Sequence, residues 1–186
     1  MLLKKLIKRI SNNKKNIHVA GISSNSNEIK KNFIFFAIKG TKDNGEKFIN
    51  AAIKKGASII VCSKKCKFKS KKVFIIKKKN VRDFLGEIAS KFYNLKPKNI
   101  IAVTGTNGKT SVADMFYQLF KLNNIPVASI GTLGIKYNNK ILKTKLTSPD
   151  TISFNKNLNF LKKKKIENVI IEASSHGLDQ ERLNHI

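Results

Sequence analysis

Between Val103 and Asp114 the chain reads VTGTNGKTSVAD. Gly105, Thr106, Asn107, Gly108, Lys109, Thr110 and Ser111 are residue types that together can handle phosphate. The two glycines permit tight backbone turns and close approach of phosphate oxygens. Lys109 can reach the outer phosphates of a nucleotide, and the Thr110 hydroxyl can ligate Mg²⁺. The common phosphate-loop pattern has a glycine five positions before the glycine of Gly-Lys, and that position is Val103 here. Pattern alone therefore leaves two readings, a nucleotide loop with a shorter lead-in or a glycine-rich turn with a solvent lysine. Placement favours the first. An apolar strand, NIIAV, precedes the loop, and KTSVADMFYQLFKLNN follows it with Val112, Met115, Phe116, Leu119 and Phe120 at helical spacing. The first amides of such a helix lack intrahelical acceptors and carry partial positive charge, so an anion is favoured there.

The elements that must position this loop alternate in type. Before Tyr93, strands are expected at NFIFFAIKG, SIIVC and VFIIK, with helices over INAAIKKGA and VRDFLGEIASKFYNL. Gly56 stands where the first of these helices should stop. YNLKPKN, with Pro97, breaks the pattern. Beyond it come strands at NIIAVTG, IPVASIG and ENVIIEASS, with a second helix over ISFNKNLNFLKKKKI. This order predicts two α/β domains, residues 1–97 and 98–186, the second being the start of a doubly wound sheet with ligands at the carboxyl ends of its strands. Glu172 ends ENVIIE on the loop's edge of that sheet. It is either a Mg²⁺ ligand or a solvated, capping carboxylate.

Composition narrows the classes further. The 186 residues include 41% hydrophobic side chains, enough for a core, and carry a net charge of +27. That charge invites a nucleic-acid partner. The lysines, however, are spread along the chain among many Asn and Ile residues, and arginine, the better base reader, is scarce. No nucleic-acid partner is expected. MLLKKLIKRI has helical apolar spacing and reads as a short surface helix, too interrupted for a signal peptide or a membrane span. Cytoplasmic location without membrane insertion is the resulting expectation. Cys62 follows the strand ASIIV and reads as a buried thiol, and Cys62 with Cys66 alone is weak for zinc. His18 and His185 have no motif and are taken as structural.

GTNGKTS resembles the ATP loop of the Mur ligases and of folylpolyglutamate synthases. EASSHGLDQERL (Glu172 to Leu183) is similar to a segment of the Mur ligases that act as UDP-N-acetylmuramoyl-tripeptide synthetases, and GTLG (Gly131 to Gly134) and LTSPD (Leu146 to Asp150) match two more stretches of them. In LTSPD, Ser148 stands for a usual Thr and keeps the hydroxyl. Residues from Ser24 to Ala57 resemble the uridine-nucleotide domain of the family, with departures: Asn25 and Asn27 flank Ser26 in place of Asp and Arg, and Lys31-Asn32 stands for Gly-Asp.

The resemblance implies a small UDP-binding domain followed by a P-loop ATPase domain, and ATP-driven amide formation with Mg²⁺. A carboxylate of a UDP-N-acetylmuramoyl dipeptide would become an acyl phosphate, which an incoming amino acid displaces. The added residue is taken as meso-diaminopimelate, the commoner choice among bacteria. Lys109, Glu172 and His176 would be catalytic, and Thr110 and Glu172 would hold the metal. Crowding an anionic carboxylate against ATP needs such cationic help. His176 either approaches the same site or braces the turn through its ring. Substrate contacts are implied at Ser24, Ser26, Thr41, Lys42, Asp43, Thr147, Ser148, Ser174, Gln180 and Arg182. Arg182 suits a carboxylate, with a surface ion pair as the plain alternative. Mur ligases continue with an Asn-Asp-His-Leu-Asp-like stretch, a carbamate-bearing lysine and a third domain that selects the amino acid. The chain is accordingly expected to be an amino-terminal portion, monomeric and unable to complete catalysis alone. The rival readings are a MurF-type or folylpolyglutamate ligase, a basic nucleic-acid binder and a regulatory nucleotide-binding module.

Overall fold

The computed structural model describes residues 1–40, 43–143 and 150–186, with His176 described by its backbone alone. The chain divides into two compact units, Met1–Phe92 and Tyr93–Ile186. Among the described residues no helix is long and apolar enough to cross a membrane.

The first unit begins with α1 (Leu3–Leu6), which is shorter and less superficial than MLLKKLIKRI predicts. Leu3 and Leu6 are buried, and the segment is tied down by backbone bonds such as Leu3 N–H to Ile17 O at 2.9 Å. The amphipathic pattern beyond Leu6 is not helical, the chain turning extended at Ile7. Four parallel strands follow, β1 (Gly21–Ser23), β2 (Phe33–Phe36), β3 (Ala57–Ser63) and β4 (Phe74–Lys78), lying side by side in sequence order. Helix α2 (Ile49–Lys54) connects β2 to β3, and α3 (Val81–Phe92) follows β4.

Side chains alternate across the sheet. Phe35, Ile60 and Cys62 pack with Ile49 and Ala52 of α2. Phe36 faces the other way, its ring 6.4 Å from that of Phe84 on α3. Both cysteines are buried free thiols. The Cys62 thiol is pushed up to about 12, first by burial and then by hydrogen bonding and charge interaction with Cys66, so it stays protonated and unreactive at neutral pH.

The second unit contains β5 (Asn99–Val103), α4 (Lys109–Leu122), β6 (Val127–Gly131), β7 (Gly134–Tyr137), β8 (Lys140–Leu142), α5 (Thr151–Lys163), β9 (Asn168–Glu172) and α6 (Ser175–Asp179). The sheet order is β5-β9-β6-β7-β8. The first three are parallel, as the strand-helix alternation predicts, and β7 and β8 are antiparallel additions. These two strands and α6 were not anticipated. A signal for the hairpin exists in YNNK: Asn138 and Asn139 both take positive φ (43° and 60°), the conformation of a two-residue primed turn.

Helix α5 starts where Asp150 accepts from the amides of Ile152 (3.0 Å) and Ser153 (3.1 Å). It packs Phe154, Leu158 and Leu161 on Ala128, Ile130, Val169 and Ile171. Helix α4 lies against β5, β6 and β9. Its buried residues are Ala113 and Tyr117, while Val112, Met115 and Leu119 of the apolar repeat are exposed.

Candidate functional site

The strand order of the second unit determines the site. β9 lies between β5 and β6, so Glu172 at its carboxyl end sits between the strand that leads into the glycine loop and the strand that leads into the β6–β7 turn. Val103 is the register partner of Glu172, and the next amide, Ala173 N–H, donates to Val103 O at 2.9 Å. Glu172 is 2% exposed. Its Oε2 accepts from Thr110 Oγ1 at 2.8 Å and from Thr132 Oγ1 at 3.0 Å, and its Oε1 accepts from Thr132 N–H at 3.1 Å. A buried carboxylate requires such donors, because desolvating it without them is expensive.

The loop above is built for close backbone approach. Gly108 caps α4 with φ +80°, a conformation that penalises any side chain, and a Cβ there would meet nothing within 4 Å. The space beside the first turn of α4 is therefore open. Gly105, Thr106, Asn107, Gly108 and Ser111 are exposed, and Lys109 and Thr110 half-buried. Lys109 folds back over the loop, its Nζ donating to Gly105 O at 2.6 Å and Thr106 O at 3.2 Å.

Of the residues singled out from sequence, the fold thus brings together the loop from Gly105 to Ser111 and Glu172. Thr132 completes the cluster, and sequence pattern does not mark it: it lies inside GTLG, where nothing in its type distinguishes the hydroxyl. Ser174, Gln180 and Arg182 follow β9. Ser174, the residue before α6, accepts through Oγ from Gly177 N–H at 3.0 Å. The Arg182 guanidinium donates to Gln180 Oε1 through Nη2 (2.7 Å) and Nε (3.1 Å), which holds the two side chains as a pair. His176, whose backbone lies in α6, is not described beyond it. Thr41, Lys42, Thr147 and Ser148 lie outside the described residues.

In the first unit, Ser24 and Asp43 are exposed and Ser26 half-buried. A cleft of about 790 Å³ opens at the carboxyl ends of β2, β3 and β4, lined by Lys39, Asn44, Glu46, Lys65, Lys79 and Arg82 among others. Glu46 is fixed there by Ser63, whose hydroxyl (2.7 Å) and amide (3.2 Å) both donate to its Oε1. Ser24, Ser26 and Asp43 are not part of its lining.

Two family profiles match this chain. The one described as the Mur ligase family catalytic domain covers residues 18–93, and the one described as the Mur ligase middle domain covers residues 103–186. The chain belongs to the Mur ligase family. A UDP-N-acetylmuramoyl-L-alanyl-D-glutamate–2,6-diaminopimelate ligase of Rickettsia bellii is 41% identical over 175 residues, which is 91% of this Mur ligase chain and 35% of the relative. The protein of the same name from Rickettsia montanensis is 43% identical over 172 residues, 90% of this chain and 36% of its own length. A solved structure of a ligase of that name superposes on all of this chain, and on 38% of its own, with a TM-score of 0.84 at 26% identity. This Mur ligase chain thus spans about a third of the length of the curated relatives it matches.

The residues present suit Mg²⁺ and a nucleotide. The donor set around Glu172 is one carboxylate and two hydroxyls, all hard oxygen atoms, and among the described residues no group of three or more His, Cys, Asp or Glu could hold a metal unaided. Mg²⁺ commonly takes one or two carboxylates and completes its shell with phosphate and water oxygens. The open space at Gly108 leaves room for those phosphates.

Proposed function

We propose that this chain supplies the nucleotide-binding parts of a ligase that joins 2,6-diaminopimelate to UDP-N-acetylmuramoyl-L-alanyl-D-glutamate, with ATP consumed as a substrate. One observation carries the nucleotide half of this reading. Thr110 Oγ1 lies 2.8 Å from buried Glu172 Oε2, directly beneath a Gly-Lys-Thr loop at the start of a helix. The names of the relatives carry the choice of substrates.

The reaction class is amide formation. A substrate carboxylate oxygen takes the terminal phosphoryl group of ATP, whose β–γ bridge breaks to release ADP, and an incoming amine then displaces phosphate at the acyl carbon, losing a proton. Within this chain, the amides of residues 108–111 hold phosphate oxygens at the tip of α4. Lys109 exchanges the carbonyls of Gly105 and Thr106 for the outer phosphates, adding positive charge where negative charge gathers. Thr110 and Glu172 would hold Mg²⁺, which when bound neutralises phosphate charge and keeps the phosphates in one orientation. Contacts from Ser174, Gln180 and Arg182 to the peptide end of the substrate belong to this proposal, with the Gln180–Arg182 pair presenting a cation suited to a carboxylate. The uridine-nucleotide end is assigned to the first unit. Its cleft supports that assignment, because Lys39, Lys65, Lys79 and Arg82 outnumber Glu46 there and favour an anion.

Equilibrium titration tests both halves. The chain is titrated with a non-hydrolysable ATP analogue, in Mg²⁺ and in chelator, and separately with UDP-N-acetylmuramoyl-L-alanyl-D-glutamate. Saturable binding of the analogue, strengthened by Mg²⁺, is expected, as is saturable binding of the uridine compound. A folded chain that binds neither overturns the proposal.

A further inference from the structure

We infer that Thr132 is a positioning residue for the cation side of the nucleotide site, acting by fixing the carboxylate of Glu172; the inference rests on the nucleotide reading above. Thr132 is one of the two residues between the register partners Gly131 and Gly134, which close the β6–β7 hairpin. Its backbone is therefore held by the ladder on both sides. From there it reaches both carboxylate oxygens, Oε1 through its amide and Oε2 through its hydroxyl. Two contacts from one residue to the two oxygens of one carboxylate define the plane of that group, which a single contact would leave free to rotate.

Gly131, the residue before Thr132, lies close against the same carboxylate. A Cβ built on Gly131 would lie 1.9 Å from Glu172 Oε1, 2.3 Å from Cδ and 2.6 Å from Cγ. No side chain fits without moving the carboxylate, so the bare backbone of Gly131 is what lets Glu172 lie flat against the hairpin. The Thr110 hydroxyl meets the same Oε2 from the loop side. If Thr110 turns toward a cation, Thr132 still holds both oxygens of Glu172. The carboxylate then meets the cation already oriented, and partners of a ligating carboxylate of this kind commonly govern metal affinity.

Thr132→Val separates this role from a general contribution to folding. Valine keeps the shape and the amide contact to Oε1 and removes only the hydroxyl at Oε2. The measurement is the affinity of the chain for a non-hydrolysable ATP analogue in Mg²⁺ and in chelator, beside thermal unfolding of each variant. In T132V the Mg²⁺-dependent gain in affinity is expected to fall roughly tenfold or more, with affinity in chelator changed by less than about twofold. Thr132→Ser, which restores a hydroxyl, should recover most of the gain. A purely structural residue would lower the melting temperature and leave the ratio of the two affinities unchanged, and that result in T132V overturns the inference. If T132V does not fold, Thr132→Ala is read by the same ratio. A wild-type chain whose analogue binding ignores Mg²⁺ overturns the nucleotide reading itself, and the inference falls with it.

Discussion

The two units put their candidate sites in equivalent places, at the carboxyl ends of parallel strands, but build them from different material. In the second unit the proposed phosphate site is mainly backbone, with glycines of positive φ and the amides at the tip of α4, joined by one lysine and one hydroxyl in fixed succession. In the first unit the cleft is made of side chains drawn from Lys39 to Arg82, scattered over several loops rather than set in one short motif. A backbone site demands particular residues at particular spacings, because only glycine takes the required conformation. A cleft of side chains needs only that enough cations face inward, and many arrangements of lysine meet that condition. The first kind of site therefore leaves a motif in the sequence, and the second leaves little.

Breaking each site separately tests whether the two are chemically distinct. The largest effect is expected from Lys109→Ala. Removing a charge-assisted contact to phosphate costs about 1.5–3 kcal/mol, which is roughly 10- to 150-fold in affinity for an ATP analogue. Titration of the same variant with the uridine compound should give an unchanged dissociation constant. Equal loss of both ligands would mean that the chain has one shared site or has lost its fold.

Gly131→Ala comes next. The new methyl would overlap the Glu172 carboxylate, and forcing an extra methyl into a packed position costs about 1–3 kcal/mol. Denaturant unfolding followed by circular dichroism should show a lower midpoint, and the Mg²⁺-dependent part of analogue binding should disappear. An unchanged midpoint together with full Mg²⁺ dependence would show that Glu172 is free to stand elsewhere. In the first unit the corresponding change is milder. Arg82→Ala removes one of several cations around the cleft, and partly solvated pairs are worth about 0.2–1 kcal/mol. Uridine-compound affinity should fall by no more than about fivefold, and the difference from wild type should shrink as salt is raised. A salt-independent loss would point instead to a desolvated, specific contact.

The same contrast explains what was legible from the residues alone. Apart from the three-residue β1, which is too short to mark, the parallel strands, α2, α3, α4, α5 and the pairing of the loop with Glu172 follow from apolar periodicity and from strand-helix alternation. The β7–β8 hairpin escaped because its strands are only four and three residues long, although the Asn138-Asn139 turn marks it. Thr132 escaped for a different reason. Its importance comes from where a hairpin turn places it beside a strand 40 residues later in the chain, and spacing along the sequence cannot carry that.

Helix α4 shows how periodicity can be right about an element and wrong about its face. The repeat through Val112, Met115 and Leu119 identifies a helix correctly, yet those residues are 49%, 66% and 60% exposed, and the side turned to the sheet presents Ala113 and Tyr117. The close approach of a helix to the strands favours a small residue such as alanine at the contact. Tyr117 fills the space one turn further on. Met115→Gln and Leu119→Gln should therefore change unfolding free energy by no more than about 0.5 kcal/mol, as usual for surface positions, whereas Tyr117→Ala should cost several times as much. Chemical denaturation of the three variants decides the matter. If M115Q or L119Q proves as costly as Y117A, the exposed stripe is covered in solution, and sedimentation at several concentrations would show whether a second copy covers it.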